Sequence, residues 1–242
     1  MSYVEGFVIP VPAANKAAYL RQAEDSLALF KEFGVERMVE CWGDDVPDGK
    51  VTDFKGAVKA EQGEIVMFSW MEYPDRAARD AANEKIMSDP RMKEMGANMP
   101  FDGKRMIFGG FTPIVDENYG GAMGYADGYL VPVPEANKEA YREAALFMVD
   151  LFKDAGATRI VEAWADDIRN GKVTDFFRAV KAEEGETVVY SWVEWPSKAV
   201  RDAGWKQMEA DDRMKPENQK VKEAPFDGKR MIYGGFAPIL DA

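Results

Sequence analysis

Glu40-Cys41-Trp42 and Trp70-Met71-Glu72 each set a carboxylate two residues from an indole, and the same pairs return as Glu162 with Trp164 and Trp192 with Glu194. Residues two apart in an extended strand share a face, so each pair can present an acid beside a large apolar ring. If both rows turn into one enclosed space, desolvation raises the carboxyl pKa toward the range of a general acid or base. The chain has no histidine. That excludes Ser/His and Cys/His nucleophile pairs, proximal-histidine haem and imidazole metal sites. Acid/base work then falls to carboxylates, Tyr, Lys or the single thiol. Glu40, Glu72, Glu162 and Glu194 are the candidate acid/base residues, and Trp42, Phe68, Trp70, Trp164, Tyr190 and Trp192 the candidate ligand contacts. The competing reading is structural. In it the tryptophans are core and each glutamate sits at a strand end, paired with Arg37, Lys104 or Arg105.

Other groups carry less chemistry. Asp102 and the Asp44/Asp45 pair lack the spacing of a hard-cation loop, and Asp102-Gly103 after Phe101 reads as a tight turn, so no metal and no cofactor is expected. Gly109-Gly110-Phe111 has no following helix and reads as a bulge or close approach in a strand rather than a phosphate loop. Cys41 has no partner cysteine and is replaced by Ala163 in the second copy, as suits a small core residue. The methionine-rich stretch from Ile86 to Met99 reads either as a lid over a pocket or as a segment packed by adaptable side chains.

These residues sit in a chain that repeats itself. Residues 100–116, PFDGKRMIFGGFTPIVD, recur at 225–241 as PFDGKRMIYGGFAPILD. Matched residues lie 122 apart near the start and 125 apart near the end, a net insertion of three in the second copy. The expected division is a first repeat at 1–117, a linker at 118–124 and a second repeat at 125–242. YVEGFVIPVP reads as a strand, and the stripe of Tyr19, Ala23, Leu27 and Phe30 as a core-facing helix with Asn15 as N-cap and Gly34 as stop. VECW, KVTDFKGAVKAE and EIVMFSWMEYP read as three strands, the last of them central. A helix capped by Asp75 follows, and KRMIFGGF supplies the closing strand.

That order resembles a ferredoxin-like unit with one additional strand. Two units in one chain are expected to press their open sheet faces together.

Net charge −12 disfavours nucleic-acid or anionic-membrane partners. No apolar run approaches a membrane span and no leader is evident, which points to a soluble, cytoplasmic protein.

The phrases YVxGFVxPVP, VECW, GKVTDF, AVKAE, SWxEYP and PFDGKRMI resemble the YbaA-like family of bacterial proteins of unknown function. The resemblance covers nearly all of each repeat. It implies an α+β fold of the dimeric α/β-barrel superfamily, with the usual two subunits fused in tandem as a monomeric pseudo-dimer; further self-association is left open. It implies no established activity. The preferred functional reading is a protein binding a small apolar molecule in a barrel cavity lined by Trp and Glu. The alternative is a cofactor-independent oxygenase or isomerase using carboxylates.

Overall fold

A computed structural model describes residues 2–215, 218 and 224–242; part of the three-residue insertion therefore lies outside the described residues. Repeat one runs β1 (Tyr3–Pro12), α1 (Lys16–Phe33), β2 (Arg37–Asp45), α2 (Phe54–Ala57), β3 (Glu64–Tyr73), α3 (Arg76–Ser88), α4 (Pro90–Ala97) and β4 (Ile107–Asn118). Repeat two follows with β5 (Tyr125–Pro134), α5 (Lys138–Asp154), β6 (Arg159–Asp167), α6 (Phe176–Ala179), β7 (Glu186–Trp195), α7 (Lys198–Glu209) and β8 (Ile232–Asp241).

Each repeat is a four-stranded antiparallel sheet in the ferredoxin-like order, and the two sheets close edge to edge. β4 pairs with β6 and β2 with β8, giving the closed order β1-β3-β2-β8-β5-β7-β6-β4. Closure leaves the barrel without an unpaired sheet edge, which is the hazard an isolated repeat would carry. Tandem duplication thus builds the pseudo-dimeric barrel within one chain.

Two sequence expectations are corrected. KVTDFKGAVKAE does not form a strand. The Asp53 carboxylate accepts the Gly56 N–H at 2.6 Å and caps the short helix α2, and Lys59, at φ +51, ends it in the left-handed region. Asp175 and Lys181 do the same around α6. A local cap therefore overrides the β-branched composition, and the additional strand is replaced by a helical turn. Asn15 occupies the N-cap position of α1 but caps nothing; its side-chain amide donates to the Pro100 carbonyl at 2.7 Å, as that of Asn137 does to Pro225 at 2.9 Å. These asparagines tie each first helix to the repeated PFDG turn.

Alternation along the strands separates two layers. Val4, Val8, Val39, Cys41, Val66, Phe68 and Trp70 face the barrel interior with their repeat-two counterparts. Met38, Trp42, Met67 and Met71 face the helices outside. β3 is buried along most of its length on both sides, as expected of a central strand.

Candidate functional site

Face parity divides the residues that sequence brought forward. Glu40 and Trp42 share one face of β2, and Trp70 and Glu72 share one face of β3, but the two rows point to opposite sides of the sheet. The Trp70 row points into the barrel and fills it. Phe68 stacks on Tyr190 with centroids 4.4 Å apart, and Trp70 meets Trp192 at 4.6 Å. All four rings are fully buried. The approach is so close that a Cβ on Gly6 would lie 2.8 Å from the Tyr190 ring, and one on Gly128 2.9 Å from Phe68. These aromatic residues form a packed interior, each ring occupying the space a barrel ligand would need.

Glu72 and Glu194 close one end of that interior. Arg159 grips Glu72 with two hydrogen bonds of 2.7 and 2.9 Å, and Arg37 grips Glu194 at 2.7 and 3.1 Å, so each guanidinium crosses to the other repeat. Arg37 also pairs with Asp241 and Arg159 with Asp116 on the last strand of each repeat. Trp70 and Trp192 donate their indole N–H groups to Glu72 and Glu194 at 3.1 and 3.0 Å. These glutamates meet Arg37, in line with the structural reading of the sequence. Arg105, by contrast, pairs with Glu64 and Asp102.

Glu40 lies on the helix side, at the wall of a partly open cavity of about 430 Å³ lined by β1 to β4 and roofed by α1, α3 and α4. Its Oε2 accepts the Tyr19 hydroxyl at 2.6 Å and the Ser69 hydroxyl at 2.5 Å. Oε1 takes no hydrogen bond from the described residues, although Glu40 is only 6% exposed. Burial pushes the Glu40 carboxyl up, against the two hydroxyl donors, and the same burial with the neighbouring carboxylate pushes Tyr19 well above the usual phenol range. Trp42 is on this side too, under Lys16, whose ammonium sits 4.8 Å from its ring, but it is not among the cavity walls.

Sequence reasoning missed a second carboxyl in the same cavity. Glu5, from β1, is held only loosely: Asn83 Nδ2 donates at 3.2 Å, the Tyr73 hydroxyl at 3.5 Å, and Arg79 Nη1 stands 3.7 Å away. Burial pushes its pKa up. The signal was available, since Glu5 alternates with Phe7 and Ile9 on a strand face that is otherwise apolar. The methionine-rich stretch forms the end of α3 and all of α4, and Met87, Met92, Met95 and Met99 roof the cavity. Among the described residues no group of three or more Cys, Asp or Glu side chains converges as a metal cluster, and no helix is long and apolar enough to cross a membrane.

Repeat two keeps the triad but changes what stands before it. Tyr141 donates to Glu162 at 2.7 Å, and burial raises that carboxyl to about 7 even though it retains some exposure. Met148 stands at the position of Ser26 and Trp205 at that of Asn83, both packed into the apolar cluster beneath α5 and α7. Trp205 lies edge-on to Phe152 and donates to Asp127 at 3.0 Å. Asp127, the counterpart of Glu5, also takes Trp195 at 3.0 Å and Arg201 at 2.8 Å.

Comparison with known proteins agrees with this architecture. The uncharacterized protein YbaA of Escherichia coli K12 is 66% identical over 117 residues, which is 48% of this chain and all of that one. YbaA of Shigella flexneri matches to the same extent. Among solved structures, a candidate monooxygenase of Fusobacterium nucleatum superposes with TM-score 0.59 at 10% identity, covering 99% of this chain and 93% of that one. An anthrone oxidase-like protein gives 0.53 at 11% identity, over 100% of this chain and 92% of its own. At such identities these neighbours share the barrel fold. A family model described as a protein of unknown function (DUF1428) matches residues 2–103 and again 124–228. The chain therefore belongs to the DUF1428 family, and it carries that family's unit twice.

Proposed function

We propose that the cavity of repeat one binds a small, largely apolar molecule bearing one polar group, which Glu40 recognises. The observation that carries this is a buried carboxyl with one unengaged oxygen on the wall of a cavity whose lining is mostly Phe, Ile and Met, with a few polar side chains among them. Ligand sites are commonly apolar clefts with a few placed polar groups, and thioether side chains adapt to different occupants. Of the four carboxylates selected from sequence, Glu40 serves this reading. Glu72 and Glu194 are committed to arginines at the barrel end.

Titration with N-phenyl-1-naphthylamine, a neutral dye whose emission rises in apolar surroundings, tests it. One saturable site per chain is expected. Asn83→Trp with Ser26→Met, which installs the side chains of repeat two, should weaken dye binding at least about tenfold. Unchanged binding by that variant would defeat the assignment.

A second reading is supported by the raised Glu40 carboxyl: a cofactor-independent oxygenase or isomerase in which Glu40 moves a proton. The names of the structural neighbours are compatible with it. Here Glu40→Gln should abolish turnover of a bound substrate while leaving its affinity near normal.

A further inference from the structure

The described side chains facing the cavity include two carboxyls, Glu5 and Glu40, two amides, Gln22 and Asn83, and the hydroxyls of Tyr19 and Ser26, but no lysine or arginine. The nearest cation, Arg79, stands behind Glu5 at 3.7 Å and is already engaged by Asp167 at 2.8 Å and the Tyr3 hydroxyl at 3.0 Å. Among the described residues Glu40 has no cation beside it. Both hydroxyls that reach it donate to Oε2, an arrangement that favours the ionised carboxylate over the acid and leaves Oε1 to accept from something else. The surrounding walls are the rings of Phe7, Tyr19, Phe30, Phe101 and Phe108, whose faces attract positive charge.

We propose that the occupant is a hydrophobic amine, bound as its ammonium against Glu40 Oε1 with its apolar body under the methionine roof. This rests on the reading of the cavity as a small-molecule site. Burial pushes the Glu40 carboxyl up, because no cation among the described residues stands beside it to answer the ionised form. An arriving ammonium supplies the missing counter-charge, and any proton the carboxyl still carries is released to solvent as the ion pair forms. A buried charge is tolerated when it is paired and hydrogen-bonded, and Tyr19 and Ser69 supply the remaining bonds. An anion would face two carboxyls and no cation, and is rejected.

The test is displacement of N-phenyl-1-naphthylamine near neutral pH by three compounds sharing one ring system: 2-(1-naphthyl)ethylamine, 2-(1-naphthyl)ethanol and 1-naphthaleneacetate. The amine should bind at least about tenfold more tightly than the alcohol, and the carboxylate most weakly. Glu40→Gln should erase the amine's advantage over the alcohol, each displacement being read against the variant's own dye affinity. Glu5→Gln should reduce the advantage less than Glu40→Gln does, because Arg79 stands 3.7 Å from the Glu5 carboxyl, whereas no cation among the described residues stands beside Glu40. Equal or tighter binding of the alcohol, or an amine advantage that survives Glu40→Gln, overturns the proposal. If the dye binds but none of the three displaces it, the amine assignment falls and the cavity reading stands. If the dye itself fails to bind, both fall.

Discussion

The two repeats are nearly identical inside the barrel and different outside it. Inside, Phe68, Trp70 and Glu72 answer Tyr190, Trp192 and Glu194 across a pseudo-twofold axis, and each arginine crosses to the other repeat's glutamate. Outside, one repeat holds a cavity before its Glu-Tyr-Ser group while the other sets Trp205 and Met148 in the matching places. The triad is present in both halves, so it does not make a binding site by itself. What accompanies the cavity in repeat one is the smaller pair of residues in front of the group, Ser26 and Asn83. The interior is shared architecture, and the helix-covered face is where one copy was free to change.

The largest expected effect probes the shared interior. Glu72→Ala removes the partner of a buried guanidinium and should cost about 3–5 kcal/mol, the usual consequence of leaving one buried charge unanswered. Glu194→Ala should cost the same within the scatter of urea denaturation. If one variant unfolds the protein and the other is tolerated, the two halves of the interior are not energetically equivalent.

The next effect separates the faces by pH. Glu162 titrates near 4.5 in an unfolded chain and at about 7 in the fold. At acid pH both states are protonated and nothing is lost. As pH rises from 4.5 toward 7, the unfolded chain releases a proton that the folded one retains, so stability falls, and above 7 it stays lowered. At about 1.4 kcal/mol per pH unit, the whole change is about 3 kcal/mol. Glu162→Gln should remove this decline and be more stable than the parent on the alkaline side, as read by chemical denaturation across pH. Parallel curves for parent and variant would sink the claim.

A third, smaller effect tests what fills the outer face. Trp205→Ala should cost about 2–3 kcal/mol, less than a fully enclosed tryptophan because the ring is half-buried. Asn83→Ala, which removes one long hydrogen bond at the cavity wall, should cost under about 1 kcal/mol. Similar losses at both positions would mean that the halves differ in sequence but not in packing.

Much of this architecture is legible in the amino-acid sequence. The doubled PFDGKRMI phrase, the strand and helix periods and the terminal stops lead to two ferredoxin-like units closed on each other. Period two also shows that Glu40 shares a face with Trp42, and Trp70 with Glu72. It cannot show which face turns inward, because both sides of this sheet are apolar, one covered by helices and the other by the opposite sheet. The cavity beside Glu40 therefore lies one layer away from the expected barrel cavity. KVTDF misleads for a different reason: an aspartate at an N-cap outweighs the strand-like residues around it. Glu5 is legible in the same way, since Glu5 and Phe7 recur as Asp127 and Tyr129, but its aromatic neighbour is not a tryptophan, and a criterion of acid beside indole passes over it.

The smallest expected effect concerns a departure from symmetry within the interior itself. Gly6→Ala and Gly128→Ala each press a methyl group against a ring of the other repeat, Tyr190 or Phe68, at nearly equal distances. Overpacking of this kind costs about 1–3 kcal/mol when the ring cannot retreat. The two rings differ in how firmly they are held. The Tyr190 hydroxyl shares its one proton between the backbone carbonyls of Ser69 at 2.8 Å and Phe7 at 3.2 Å, whereas Phe68 has only its packing. Retreat at Gly6 would stretch those hydrogen bonds, and retreat at Gly128 would stretch none. Gly6→Ala should therefore be the more destabilising by about 0.5–1.5 kcal/mol, the net value of one such bond. Tyr190→Phe should bring the two alanine variants level. If the gap persists in the Tyr190→Phe background, the hydroxyl is not what holds the ring, and the inequality must come from the strands on which the glycines sit.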